Sequence, residues 1–221
     1  DVDQRFIDKA RAGIEKSTAK LVEKGALTAE MRTAALDRLR TTTELEDLAG
    51  ASLIIEAITE DAAAKTALFR ELDGLTGKDT IFASNTSSLS IADLGAGSGR
   101  PDRFVGLHFF NPVPLMPLVE VVRAVTTSDA TYAAALDVAK ALGKQAVEAK
   151  DVPGFVVNLL LVPLLLDAAR ARERGVASTM DIDRGMMLGC GHQMGPLTLL
   201  DFVGIDTVVR IGDIMFDAYR E

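Results

Sequence analysis

The spacing of apolar residues predicts helices at the start of the chain and then changes to the pattern of a buried strand. Spacings of three and four positions separate Ile7, Ala10, Ile14, Ser17 and Leu21, and Gly25 follows as a C-terminal stop. A second helix is expected from Thr28, a suitable N-cap, to about Leu39. Residues 51–60, ASLIIEAITE, then have the length and apolar density of a fully buried strand.

Strands and helices alternate through the middle of the chain, which favours an α/β sheet that is mostly parallel and doubly wound. Ser128 and Gly143 have the residue types of the start and stop of one helix. The glycine-rich stretch 95–99 is expected to be a flexible loop. After the first strand, a helix is expected at 61–75 and strands at 79–84, 103–110, 118–122 and 144–150.

The composition changes after the sequence KDVPG, and from there the pattern is helical. Pro196 has the position of a first helical residue. We therefore expect residues 1–151 to form an α/β domain and residues 152–221 an all-α domain. The helical segments are 153–175, 179–189 and 195–204.

Charge and cysteine content exclude several classes of protein. The net charge is −8 without a Lys/Arg cluster, which argues against a nucleic-acid partner. The longest apolar run, 155–166, is shorter than the roughly 20 residues that cross a bilayer, so no membrane partner is expected. Cys190 is the only cysteine, which suits a reducing, cytoplasmic compartment. Two distant histidines and one cysteine give no metal-ligand spacing, so no metal is expected.

Polar residues follow the ends of the predicted strands, where ligands bind in parallel sheets. His108 and Glu120 each interrupt an apolar run, and either side chain is costly to bury without a partner. Taken singly, a core histidine, a water-facing edge carboxylate or a helix-capping loop would also explain these residues. The residues expected around one crevice are Glu60, Asn85, Ser87, His108 and Asn111.

Several segments together resemble the L-3-hydroxyacyl-CoA dehydrogenase family, in particular its bacterial 3-hydroxybutyryl-CoA branch. The segments FASNTSSLSI, HFFNP with LVEVV, KDVPGFVVN and MGPLTLLDFVGIDT carry the resemblance, which extends along essentially the whole chain. It implies a Rossmann-like NAD-binding domain followed by a helical domain. It also implies reversible, NAD-dependent oxidation of a short-chain (S)-3-hydroxyacyl-CoA, and a homodimer formed through the helical part.

The resemblance assigns roles to individual residues. It implies that His108 is the base and Glu120 its partner; neutral imidazole suits this work because its ordinary pKa, about 6.5, is close to working pH. Asp1 would hold the adenosine ribose and favour NAD over NADP. The remaining catalytic residues implied are Ser87, Asn111 and Asn158, and the remaining cofactor-side residues are Glu60, Lys65 and Asn85.

Some features depart from the family pattern. Leu159 stands where the family usually has Arg, and Pro117 where Lys or Ser is common. The family's Gly-x-Gly-x-x-Gly unit is not in this sequence, so we expect the first βαβ element to be missing and this fragment to bind NAD weakly. Three alternatives stay open: a hydroxy-acid dehydrogenase of the related crystallin-like branch, a non-catalytic scaffold, and a segment of a multifunctional β-oxidation protein.

Overall fold

The N-terminal segment forms the two helices that its apolar spacing predicts. In the computed structural model, which describes residues 1–220, α1 spans Gln4–Glu23 and α2 spans Ala29–Arg38. The Thr28 side chain accepts a hydrogen bond from Met31 N–H and so caps α2. These helices belong to one compact unit, residues 1–51 with 74–78, and the other residues form a second unit.

The second unit contains a five-stranded sheet with strand order β1-β2-β3-β4-β5. Strands β1, β2 and β3 are parallel, β4 runs antiparallel to β3, and β5 is parallel to β4. This mostly parallel sheet with crossover helices confirms the Rossmann-like α/β architecture. The strands are Leu53–Glu56, Ile81–Ser84, Phe104–Phe109, Leu118–Arg123 and Gln145–Lys150, and the helices between them are α3 (Ala62–Leu75), α4 (Ile91–Ser98) and α5 (Asp129–Ala141).

The two faces of β3 and β4 carry different kinds of side chain, because side chains alternate along a strand. On one face, buried apolar residues of both strands, such as Leu107 and Val121, pack with Ala135 and Ala139 of α5. The other face carries His108, which is paired in the antiparallel register directly with Glu120. The sheet therefore buries an apolar layer on one side and presents an ionisable pair on the other.

The glycine-rich stretch 95–99 is not a flexible loop, contrary to the expectation from sequence. Residues up to Ser98 are helical, and Gly99 ends α4 with φ +86°. A Cβ on Gly97 would lie 2.6 Å from Thr66 Cγ2, and one on Gly95 would lie 3.2 Å from Phe104 Cβ. The glycines are therefore explained by close packing of α4 against α3 and β3.

The first strand is shorter than predicted, because it ends at Glu56 and residues 57–60 leave the sheet. The Glu56 carboxylate accepts a hydrogen bond from Ile58 N–H at 2.6 Å, which turns the chain away from the strand direction. Apolar residues at 57 and 58 continue the hydrophobic run without continuing the strand, so the pattern alone placed this boundary too late.

The C-terminal part is helical, as predicted. Buried residues of α6, α8 and α9, among them Leu165, Leu200 and Val208, form one apolar cluster. Asp183 of α7 accepts hydrogen bonds from Leu197 N–H at 2.7 Å and Thr198 N–H at 3.0 Å, and so caps α8. The helices are α6 (Val157–Glu173), α7 (Thr179–Cys190), α8 (Pro196–Val203) and α9 (Ile205–Tyr219).

Residues 1–220 contain no candidate for a membrane span or a metal site. No helix there is both long and apolar enough to cross a membrane. Within the same residues, no group of His, Cys, Asp and Glu has the arrangement of a metal site.

The domain boundary near Asp151 stays a prediction.

The close approach of β3, β4 and α4 leads to a first prediction. Gly106→Ala should lower the free energy of unfolding by roughly 1–3 kcal/mol, as overpacking does. The reason is that the added Cβ would lie 2.7 Å from Val122 Cβ and 3.0 Å from Ile91 Cδ1. Urea denaturation measures the change. Gly185→Ala is the control, because its Cβ would meet nothing within 4 Å and alanine favours the helix. Equal stability of Gly106→Ala and the native protein would contradict the packing argument.

Candidate active site

The central feature of the site is a buried hydrogen bond between a histidine and a glutamate. His108 Nδ1 and Glu120 Oε2 are 2.6 Å apart, and the two residues are 4% and 0% exposed. Their alignment across β3 and β4 brings the side chains together on one face of the sheet. Each side chain therefore has the partner that its burial requires, and the interpretation of Glu120 as an edge carboxylate that faces water is wrong.

The second oxygen of Glu120 caps a helix. Oε1 accepts hydrogen bonds from Val156 N–H at 3.0 Å and Val157 N–H at 2.8 Å, at the start of α6. That helix has no side-chain cap of its own. A carboxylate is favoured at a helix N-terminus, where free N–H groups and the helix dipole attract negative charge. The capping fixes the carboxylate, and through it the histidine ring.

Four of the five predicted catalytic residues meet at one cavity of about 680 Å³. Much of its wall is apolar, and Phe110 and Leu161 of α6 are among the apolar residues that line it. The His108 ring also contacts Phe110 and Phe155, with ring centroids 4.6 Å and 5.7 Å away. Glu120 lies behind His108 and does not line the cavity. The predicted residues that line it are Ser87, His108, Asn111 and Asn158.

Glu60 holds the loop that carries Ser87. Its Oε1 accepts hydrogen bonds from Ser87 N–H at 2.9 Å, from Ser88 Oγ at 3.1 Å and from the Thr86 hydroxyl. Burial alone would raise the pKa of the Glu60 carboxyl, but these hydrogen bonds and the charge of Lys65 outweigh burial and lower that pKa. Glu60 is thus an ionised anchor for the loop after β2.

The other predicted cofactor residues do not line this cavity. Lys65 is 1% exposed, and its Nζ lies 2.6 Å from Glu56 Oε1. Asn85 Oδ1 accepts a hydrogen bond from Phe109 N–H at 2.8 Å and so ties the end of β2 to β3. Asp1 is exposed in the N-terminal unit, where its Oδ1 accepts from Val2 N–H at 2.7 Å. Their contacts with a cofactor stay predictions.

Sequence reasoning missed several residues that build the site. Phe155, beside the histidine ring, has a φ of +49°, a region that non-glycine residues seldom adopt. Asp151, expected only as a domain boundary, accepts hydrogen bonds from Ile91 N–H at 2.8 Å and Ala92 N–H at 2.7 Å and caps α4. The sequence KDVPGF was a signal for both, but it does not say which helix the aspartate reaches.

Of the two positions that depart from the family pattern, Leu159 has a structural explanation, whereas the presence of proline at 117 has none. Leu159 packs against the apolar cluster of the helical part. The carbonyl of Pro117 accepts a hydrogen bond from Gln145 N–H at 2.7 Å, beside β4 and β5. Neither residue contacts the histidine–glutamate pair in the hydrogen bonds described for residues 1–220.

Comparisons with known proteins match both parts of the chain to one family. The family model "3-hydroxyacyl-CoA dehydrogenase, NAD binding domain" matches residues 1–152, and the model of that family's C-terminal domain matches residues 154–221.

Individual relatives are also similar over most of their length. A 3-hydroxybutyryl-CoA dehydrogenase of Mycobacterium tuberculosis is 46% identical, with 99% of this chain and 77% of the relative covered. The human mitochondrial hydroxyacyl-coenzyme A dehydrogenase is 46% identical, with 96% and 70% covered. The crystal structure of (S)-3-hydroxybutyryl-CoA dehydrogenase from Ralstonia eutropha matches with a TM-score of 0.97 and 41% identity, covering 100% of this chain and 78% of that one.

The hydrogen-bond pattern of Glu120 predicts the effect of Glu120→Gln on the His108 tautomer. The amide oxygen must accept from Val156 N–H and Val157 N–H, which leaves the NH₂ group facing Nδ1. A neutral ring must then accept at Nδ1 and carry its proton on Nε2, the reverse of the native arrangement. NMR of ¹⁵N-histidine protein measures this, and His192, the only other histidine, is the internal control. An unchanged His108 spectrum would contradict the proposed hydrogen bonding.

Proposed function

This chain belongs to the 3-hydroxyacyl-CoA dehydrogenase family, and we propose on that premise that His108 and Glu120 carry its chemistry. The enzyme is an NAD-dependent oxidoreductase that oxidises 3-hydroxyacyl-CoA, so the activity implied by the sequence resemblance is confirmed. The assignment of residues rests on one observation above all, the buried 2.6 Å hydrogen bond between a cavity-lining histidine and a glutamate.

The side chains present fit the nicotinamide end of NAD. Polar groups from Ser87 and Asn111 follow the carboxyl ends of β2 and β3, where nucleotide cofactors bind in such sheets, and both line the cavity beside His108. When bound, NAD supplies the acceptor for the hydride that leaves C3 of the substrate. Asp1, Glu60, Lys65 and Asn85 are proposed to act on the cofactor side.

His108 acts as the general base in this proposal. A neutral ring donates its Nδ1 proton to Glu120, which leaves the Nε2 lone pair free to accept the proton of the 3-hydroxyl group. The negative charge of Glu120 stabilises the imidazolium that forms. Glu120 does not need to move, because the N–H groups of Val156 and Val157 hold its other oxygen.

The remaining polar groups of the cavity are proposed to hold the reacting oxygen. The hydroxyl of Ser87 and the amides of Asn111 and Asn158 can donate hydrogen bonds to that oxygen as it becomes a carbonyl. Ser87 is suited to this work because Glu60 holds its backbone N–H. In the reverse reaction the same donors stabilise the charge that develops on the oxygen.

The substrate is proposed to be a short-chain acyl-CoA such as 3-hydroxybutyryl-CoA. The relatives from Mycobacterium tuberculosis and Ralstonia eutropha that carry this name support the proposal. The match of both family models also favours acyl-CoA over a free hydroxy acid of the crystallin-like branch, and an intact pair at a cavity disfavours a non-catalytic scaffold. The lone cysteine still favours a cytoplasmic location.

A domain boundary near Asp151 is also proposed.

A homodimer is proposed to form through the helical part. Large apolar side chains that belong to this part are exposed, and a contiguous surface formed by such side chains would be typical of an interface. They include Leu160, Leu188, Phe202, Ile205 and Phe216.

The first test of the mechanism is the oxidation of NADH in the presence of acetoacetyl-CoA, followed by absorbance in the native-length enzyme. His108→Gln should lower kcat by about 10²–10⁴, because glutamine cannot exchange the proton. His192→Gln is the matched control and should keep native activity.

The same assay tests the substrate. Acetoacetyl-CoA should be reduced faster than longer 3-oxoacyl-CoA thioesters, and free acetoacetate should not react. Native-like activity of His108→Gln would overturn the proposed mechanism but not the proposed reaction. Inactivity of the native-length enzyme with acetoacetyl-CoA would overturn the proposed short-chain substrate.

Sedimentation tests the dimer. The native enzyme should sediment as a dimer at micromolar concentration. Leu188→Glu, which places a charge on a residue that is 81% exposed in α7, should weaken association. Val125→Glu is the control, because Val125 is 95% exposed but lies outside the helical part. A native monomer would remove the dimer proposal.

A further inference from the structure

A buried carboxylate at the end of β1 lies outside both the histidine–glutamate pair and the residues that line the cavity. Glu56 is 3% exposed, and both of its oxygens accept hydrogen bonds, as those of a carboxylate do. Oε1 accepts from Ile58 N–H and from Lys65 Nζ, each at 2.6 Å, and Oε2 accepts from Ser84 Oγ at 2.6 Å. Glu56 thus joins the end of β1 to α3 and to the end of β2.

Lys65 links this carboxylate to a second one. Its Nζ lies 2.6 Å from Glu56 Oε1 and 3.4 Å from Glu60 Oε2. The lysine side chain is 1% exposed, so its charge is balanced by these carboxylates and not by water. The shorter distance shows that Glu56 is the nearer partner and holds the ammonium group.

Glu60, in turn, holds the loop after β2. Its Oε2 faces Lys65, while its Oε1 accepts hydrogen bonds from Thr86, Ser87 N–H and Ser88. A continuous set of ionic and hydrogen-bonding contacts therefore leads from Glu56 to the backbone of Ser87, a residue that lines the active-site cavity.

We propose that Glu56 is a positioning residue for the cofactor side of the site, which acts by holding Lys65 so that Glu60 stays bonded to residues 86–88. Without the charge of Glu56, Glu60 would be the remaining carboxylate among the ion-pair partners of this buried ammonium. Lys65 would then move toward Glu60 and compete with the loop for its oxygens. The functional consequence rests on the proposed role of Ser87, Glu60 and Lys65, but the effect on the loop does not.

Hydrogen exchange of the protein without cofactor or substrate tests the effect on the loop directly. In Glu56→Gln the amides of residues 86–89 should exchange roughly tenfold faster, since loss of the Glu60 bonds opens the loop. Asp73→Asn is the matched control. It weakens another largely buried ion pair, with Arg100, whose guanidinium also donates to the carbonyl of Thr80 at the opposite end of β2. The control should lower stability without changing exchange at 86–89.

Kinetics test the consequence for the reaction. Glu56→Gln should raise KM for NADH about tenfold and change KM for acetoacetyl-CoA less than about threefold, whereas a merely structural role would lower only the amount of folded enzyme. Native exchange at 86–89 or a native KM for NADH would overturn the proposal. Inactivity of the native enzyme would instead count against the proposed function, and the exchange measurement would still decide the role of Glu56.

A double variant keeps the test decisive if Glu56→Gln does not fold. Glu56→Gln combined with Lys65→Met removes both charges of the pair. Because Glu56 is proposed to act through Lys65, loop exchange in the double variant should be no faster than in Lys65→Met alone. Faster exchange in the double variant would show that Glu56 acts by another route and would overturn the proposal.

Discussion

The rest of the site depends on the carboxylate of Glu120, because it satisfies a histidine and a helix at once. One oxygen accepts from His108 and the other from the first N–H groups of α6. Removing one partner of a buried pair typically costs about 3–5 kcal/mol, so the arrangement is strongly constrained. The same contact joins the sheet to the helical part and holds the histidine ring in the orientation that the proposed proton transfer requires. The orientation of the histidine ring and the start of α6 therefore both depend on a single side chain.

The antiparallel direction of β4 makes this contact available. In a sheet with all strands parallel, the catalytic edge receives only residues that follow the carboxyl ends of strands. His108 comes from near the carboxyl end of β3, whereas Glu120 comes from the first half of β4. Reversal of one strand thus places a carboxylate behind the histidine without a longer loop. A second set of ionic contacts, formed by Glu60 and Lys65, holds the loop that follows β2.

Much of the fold was predictable because its signals are local. Caps at Thr28 and Ser128 agree with the helix starts, since a short polar side chain and the next turn decide a cap. The predictions were wrong where contacts between residues far apart in the sequence decide the local structure. Glycines at 95–99 suggest a loop until Thr66 and Phe104 are known to lie against them. The end of β1 at Glu56 depends on hydrogen bonds that the apolar pattern does not contain.

For the site, the sequence by itself determined the type of chemistry. A histidine and a glutamate in apolar strands need partners, and the motifs around them indicated a 3-hydroxyacyl-CoA dehydrogenase with NAD. The crevice of Ser87, His108 and Asn111 was likewise expected from strand ends. Only the tertiary structure decided that Glu120 also caps α6, that Lys65 is held by Glu56, and that Asp151 caps α4. The physical reason is that these partners lie 37, 9 and 60 residues apart, where spacing along the chain carries no information on direction or distance.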